Sequence, residues 1–307
     1  MFKTILTGLF MTFATFAQAE EKITMYTRVP LGETTSVVSA AMIKEMNRIF
    51  ENKYEFRLSV IPGAGGEASD SRALADANSG SNVIVAGGLS AFAVNKVLFD
   101  SKLERDINFV PVELISVFPN AIMVNPNSNI NTIEDLVKQI KGKPKAFVAS
   151  TDQATTSNLM TAAFKKRYNT PNLSIIKYKR PGEITPSVLQ GETDFGITNP
   201  IDTHGLKLLT MSTKNRSPYF PDVPTGLEMG FTEFDYTLSL MFYIPKVNKE
   251  FINKVKSGIH EACLHPNVKE TADSYKMTMV CENNEQSMRD DIRKMQLLVE
   301  EHKDAIK

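Results

Sequence analysis

The sequence predicts an α/β fold, and three observations carry that expectation. Short apolar or alternating runs of strand length recur along the chain. Each is followed by a turn rich in Gly, Ser or Thr, and each turn opens a segment with helical spacing. The clearest unit runs from Tyr54 to about Asn78. Tyr54, Phe56, Leu58 and Val60 alternate with polar residues, and Pro62 stops the strand. Gly63, Ala64, Gly65 and Gly66 form the turn, and Ala68, Leu74 and Ala75 then lie in a proline-free helical window. A glycine turn that opens a helix points unpaired N–H groups outward, where an anion can settle. Two or three such donors, at ~1.5–3 kcal/mol for each hydrogen bond to a charged guest, outweigh the helix dipole at ~0.3–2 kcal/mol. Taken alone, Pro62–Gly66 reads more readily as a tight strand–helix turn than as a binding turn. A side chain at Gly65 is expected to intrude on the guest.

The first 19 residues read as a secretory signal. Lys3 supplies the charged start, Ile5 to Phe16 the apolar run, and Ala17-Gln18-Ala19 a small-x-small cleavage site. That run falls short of the ~20 residues a spanning helix needs. The expected product is exported, with ample length for one large domain or two ordinary ones. The chain carries 35 basic and 35 acidic side chains, and Lys3 is the only charge in the signal. Such balance gives no support to nucleic-acid or membrane-surface binding, which call for a basic patch or stripe.

In order, Ile23 to Arg28 is a strand, Leu31 to Ser36 a turn with Thr34 or Thr35 as N-cap, and Val37 to Met46 a helix. Val83 to Ala86 is a buried strand whose turn, Gly87-Gly88-Leu89-Ser90, leads into a helix from Ala91 to Phe99. Phe109 to Val124 is one or two extended segments, and Thr132 caps a helix through Lys141. The alternation then starts afresh. Lys145 to Ala149 is a strand, Ser150 to Ser157 a polar turn, and Asn158 to Tyr168 a helix. Leu173–Tyr178, Phe195–Ile197 and Leu206–Met211 are strands, with Thr198 and Asn199 ending the second. A strand around Tyr236 to Ile244 and helices over Glu250–Cys263, Asn267–Tyr275 and Glu285–Ala305 complete the chain. Small or hydroxyl residues thus recur at the carboxyl ends of strands, the edge at which open α/β sheets bind ligands.

Val29-Pro30, Pro62–Gly66, Val124–Ser128 before Thr132–Leu136, Tyr178-Lys179, Leu189–Asp194 and Phe220–Thr225 occur in an order and spacing that resembles the periplasmic receptors of tripartite tricarboxylate transporters. The resemblance covers Ile23 to about Ile306. It implies a type II periplasmic binding protein, with a cleft between two α/β lobes joined by two crossover segments. Residues 20–118 and 223–307 would form domain one, and 119–222 domain two. It further implies a small carboxylate ligand, no cofactor, a membrane permease of the tripartite tricarboxylate type as partner, and a monomer. Carried over residue by residue, Gly32, Thr34, Thr35, Ser36, Gly63, Ala64, Gly65, Gly66, Gly88 and Ser90 line the cleft from one side. Ser150, Thr151, Thr155, Lys179, Thr198 and Asn199 line it from the other. Here Ser36 and Thr198 stand where the family usually has Asp, and Asn158 where His is common. The first turn is also about two residues short. With two acids replaced by hydroxyls, the ligand is expected to carry no ammonium group.

Other motifs carry little chemistry. His260 and His265 are five apart and diverge by about 140° on a helix, so they do not make a zinc pair. Neither a Gly-x-Ser-x-Gly elbow nor a phosphate-binding lysine loop is present. Lys179-Arg180 is open between a ligand contact and a solvated pair. Cys263 and Cys281, the only cysteines, are expected to be bridged, with two buried thiols as the alternative. The expected function is therefore non-enzymatic capture of a carboxylate for a permease. Docking on a sensor protein, or a secreted enzyme using the same cleft, stand as alternatives.

Overall fold

The computed structural model describes residues 20–98, 101–151, 156–178, 181–202, 205–231 and 237–306. The signal segment, Thr155, Lys179 and Tyr236 lie outside the described residues.

Three strands, β1 (Glu21–Thr27), β2 (Tyr54–Val60) and β3 (Val83–Gly87), run parallel, with Thr27 level with both Val60 and Ala86. Each feeds a helix: α1 (Thr34–Ile49), α2 (Glu67–Asn78) and α3 (Leu89–Leu98). After the short helix α4 (Arg105–Asn108), strand β4 (Phe109–Phe118) joins the same sheet. Strands β10 (Leu238–Pro245) and β11 (Thr278–Glu282) complete it, in the order β11-β4-β10-β3-β1-β2. β3 reads as an unbroken apolar run because it is flanked on both sides, and Val83 to Ala86 are all buried.

The second sheet has the order β7-β6-β8-β5-β9. Its strands are β5 (Ala121–Val124), β6 (Ala146–Thr151), β7 (Leu173–Tyr178), β8 (Phe195–Thr198) and β9 (Lys207–Met211). Its helices are α5 (Ile133–Lys141), α6 (Thr156–Tyr168) and α7 (Ile184–Gln190). Thr132 and Asp135 form a reciprocal capping box at the start of α5, and Ile133, Leu136 and Ile140 pack inward. The strand β6 extends to Thr151 because Ser150 and Thr151 pair with Lys177 and Tyr178, and α6 begins at Thr156. Ser150 and Thr151 therefore end a strand, where the sequence suggests a turn. The extended run over 109–124 splits at Pro119-Asn120 between the two sheets.

Helices α8 (Lys249–Cys263), α9 (Pro266–Ser274) and α10 (Glu285–Ile306) finish the chain. Cys263 at the end of α8 and Cys281 in β11 are joined, with their Cα atoms 5.7 Å apart. The inward face of α10 carries Met288, Ile292, Met295 and Val299 into one apolar cluster with Phe92 of α3 and with Leu159 and Phe164 of α6. Its far end is tied to α6 by the pair Lys166–Glu301 at 3.0 Å. The terminal helix thus packs on elements of both sheets.

Candidate ligand-binding cleft

The strand directions bring the two carboxyl-end edges face to face. β10 runs antiparallel to both β3 and β4, so β4 leaves its sheet at the edge where β1, β2 and β3 end. Two residues later β5 enters the second sheet, and Ala121 lies level with Thr198 at the end of β8. β6 and β7 are parallel to β8 or linked to it through β6, so they end at that same edge. The return segment leaves from Met211, again level with Ala121, and rejoins at Leu238 opposite Phe118. The backbone at this neck is clamped by hydrogen bonds from Ser212 N to Asn120 O (2.8 Å) and from Asn120 N to Ser212 Oγ (2.9 Å).

On the first edge, Gly32 adopts φ +88° and carries the chain into α1. The N-cap is Glu33, not Thr34 or Thr35, and it offers no side-chain cap. Ser36 Oγ lies 2.6 Å from Pro30 O and 2.8 Å from Glu33 O, so its hydroxyl hydrogen closes the turn. Thr35 Oγ1 is buried without a protein partner among the described residues. The second turn is a 3-10 turn over Ala64–Gly66, with Gly65 and Gly66 both left-handed and no side-chain cap on α2. Two helices therefore begin uncapped along one sheet edge, and their first amides have no intrahelical acceptor.

The glycine turn is held from below. Asn95 of α3, almost wholly buried, donates its amide hydrogen to Gly65 O. A methyl group added at Gly65 would lie 2.3 Å from Asn95 Oδ1. This corrects the expectation for that glycine: a side chain there drives into α3, and the left-handed turn explains why glycine stands there. Gly88 is crowded in the same way by β10, whose Ser239 O would lie 2.6 Å from its Cβ. Ser239 Oγ also accepts from Leu89 N at 3.0 Å. Beneath α2, Arg105 Nε donates to Asp70 Oδ2 at 2.5 Å and its Nη2 to Glu67 Oε2 at 3.0 Å, while Tyr243 OH donates to Asp70 Oδ1 at 3.0 Å. Burial pushes the Asp70 carboxyl up from its ordinary value, against the pull of Arg105, and burial pushes the Tyr243 phenol well up. Both acids in the first turn of α2 are spent on this network.

On the second edge, Ser150 Oγ lies 3.0 Å from both Ser157 Oγ and Asn158 Oδ1, and Thr151 Oγ1 is 3.0 Å from Ser157 Oγ. Asn158 Nδ2 donates to Thr151 O at 3.3 Å, and Asn120 Nδ2 to Thr156 Oγ1 at 2.6 Å. The strand end, the start of α6 and the neck residue Asn120 form one buried polar cluster. Asn120, Thr156 and Ser157 are absent from the sequence-derived set. The order Asn120-Ala121 at a strand start gives no signal of a partner 36 residues away. Thr198 is buried at the end of β8. Asn199 Oδ1 accepts from Ile201 N at 2.9 Å, and its buried Nδ2 has no protein partner among the described residues. Ser90 opens α3 at the first edge. Thr155 and Lys179 lie outside the described residues.

The histidine pair is divided between unrelated contacts. His260 Nδ1 lies 2.9 Å from Glu113 Oε1, and His265 Nδ1 accepts from Asn267 N at 3.3 Å.

Two α/β lobes, two crossovers and opposed strand-end edges define the two-lobed fold of periplasmic binding proteins. A family model described as "Tripartite tricarboxylate transporter family receptor" matches residues 62–303, and the chain belongs to that family. It is 27% identical over 182 residues to Protein BugT of Bordetella pertussis, an alignment covering 56% of this chain and 55% of BugT. The chain spans about half the length of the curated relatives it matches. Similar folds include the periplasmic binding protein BugD (TM-score 0.77, 18% identity, covering 94% of this chain and 98% of that one). Another is MatC from Rhodopseudomonas palustris with bound malate (TM-score 0.76, 16% identity, 91% and 99%).

Proposed function

We propose that this chain is a periplasmic receptor that captures a small organic acid between the two strand-end edges and hands it to a membrane permease of the tripartite tricarboxylate type. The observation that carries the reading is the opposition of two donor-rich edges. Uncapped helix starts and Thr35 Oγ1 stand on one, and Asn199 Nδ2 on the other. Such donors suit a carboxylate, each hydrogen bond to the charge contributing roughly 1.5–3 kcal/mol. Glu67 and Asp70, the acids nearest the glycine turn, are occupied by Arg105. At the first edge that leaves Glu33, the N-cap of α1, as the acid open to an ammonium group, and a mono- or dicarboxylate with uncharged substituents is favoured. The malate held by the MatC neighbour is of that class.

Residues 20–118 with 223–307 would move as one lobe and 119–222 as the other, pivoting at the Asn120–Ser212 clamp. The protein acts as a monomer and binds without chemistry. A thermal-shift screen of small acids tests this, since a ligand that binds only the folded state raises the melting temperature. Hydroxy and keto acids should give the largest shifts, and aspartate and glutamate little. Tight binding of either amino acid would overturn the ligand class. Recovery of a chemically altered ligand would overturn the receptor reading in favour of an enzyme.

A further inference from the structure

A cavity lies against the two crossover segments, lined by Pro119 of one and Thr213 to Pro218 of the other. Its volume is about 670 Å³, and none of the turn residues Gly32–Ser36, Gly63–Gly66, Ser150, Thr151, Thr198 or Asn199 lines it. That volume falls within the ~300–1,000 Å³ of small-molecule sites. Leu114 and Val117 of β4 and Met295 and Leu298 of α10 supply apolar wall. Two cations, Lys214 from the return crossover and Lys294 from α10, also line it. Neither makes an ion pair among the described residues. Arg216, also in the wall, is neutralised by Glu228 at 3.0 Å, and Asp291 is the acid present. Thr213 Oγ1, on a lining residue, is buried without a protein partner among the described residues. Apolar wall, uncommitted positive charge and an unused hydroxyl together specify an amphipathic anion.

We propose that this cavity is a second ligand site, taking a carboxylic acid with a hydrocarbon tail, and that its occupancy is coupled to the angle between the lobes. The tail packs on Leu114, Val117, Met295 and Leu298, and the carboxylate lies between Lys214 and Lys294. The coupling follows from how the wall is built. Pro119 belongs to one crossover and Thr213 to Pro218 to the other, so rotation of the lobes reshapes the cavity. Leu89, which also lines it, directly follows Gly88 of the cleft turn. A guest with different affinity for the open and closed shapes shifts the balance between them. The site stands whether or not the cleft binds an acid.

The test uses sodium decanoate and the full mature protein, with no cleft ligand added. Calorimetric titration should show one site per chain. The double charge reversal Lys214→Glu with Lys294→Glu changes two side chains without ion-pair partners and leaves the fold intact by circular dichroism. It should weaken binding by about tenfold or more. Hydrogen exchange should show protection over residues 114–119, 213–218 and 294–298, and solution scattering should register a changed radius of gyration. Absence of binding, affinity indifferent to the double reversal, or protection confined to residues 30–36 and 150–158 would overturn the site. Binding with unchanged scattering would overturn the coupling.

Discussion

The amide of Asn95 is the floor of the glycine turn: it donates to Gly65 O, and it fills the space that any side chain at Gly65 would enter. Sequence spacing of 30 residues separates the two, yet the turn's shape depends on both. Gly65→Ala would force a methyl group to within 2.3 Å of Asn95 Oδ1 in a left-handed backbone. The expected cost is about 2–4 kcal/mol, from backbone strain and overpacking together. In denaturant unfolding, Gly65→Ala combined with Asn95→Ala should recover part of that loss. Strictly additive losses would show that Asn95 does not shape the turn.

Arg105 and Asp70 form an ion pair whose side chains are 3% and 0% exposed. Arg105→Met leaves a buried carboxylate uncompensated, and the stability loss should be about 3–5 kcal/mol. Adding Asp70→Asn removes the stranded charge and should restore a large share. A loss below 1 kcal/mol for Arg105→Met alone, measured by urea titration, would contradict this reading of the network.

The edges of the site were legible in the sequence because strand, small-residue turn and helix follow one another locally. Gly63–Gly66, Gly88, Thr198 and Asn199 all lie at or just beyond the carboxyl ends of their strands. The supports were not legible, since Asn95, Arg105, Tyr243 and Asn120 act on partners 30 or more residues away. Ser36 illustrates the other limit. Its identity suggests a ligand donor, whereas its hydroxyl closes onto Pro30 O and Glu33 O. A side chain's direction is decided by packing that one sequence does not display.

Glu113 is wholly buried beneath α8, and burial pushes its carboxyl up, partly offset by the hydrogen bond with His260. Lys256 also lowers it, while Glu282 raises it. A carboxyl with a raised folded-state value contributes stability below the ordinary value of about 4.3, and loses it as pH rises through the raised value. Glu113→Gln removes that titration. Its melting temperature relative to the parent should therefore climb from about pH 4 to pH 7. A difference constant with pH, by scanning calorimetry, would contradict the assignment.

The Cys263–Cys281 bridge closes a loop with a sequence separation of 18 and ties α8 to edge strand β11. Replacing both cysteines by serine should lower stability by about 3 kcal/mol, through the freedom returned to the unfolded chain. Cleft affinity should be unchanged, because neither cysteine lies at a strand-end edge. A stability change under 1 kcal/mol in urea unfolding would show that the bridge contributes little.

The central claim is that one carboxylate ligand is held jointly by both edges. Titration calorimetry with the acid selected by the thermal-shift screen tests it on two near-isosteric variants, Thr35→Val and Asn199→Leu, with Lys166→Ala on the far side of α6 as control. Each edge variant removes a donor that has no protein partner among the described residues, Thr35 Oγ1 or Asn199 Nδ2, and Asn199→Leu also gives up the Oδ1 that accepts from Ile201 N. Each should weaken binding by about tenfold or more, the loss of one hydrogen bond to a charge, and the control should bind as the parent does. Full affinity in either edge variant would contradict the account.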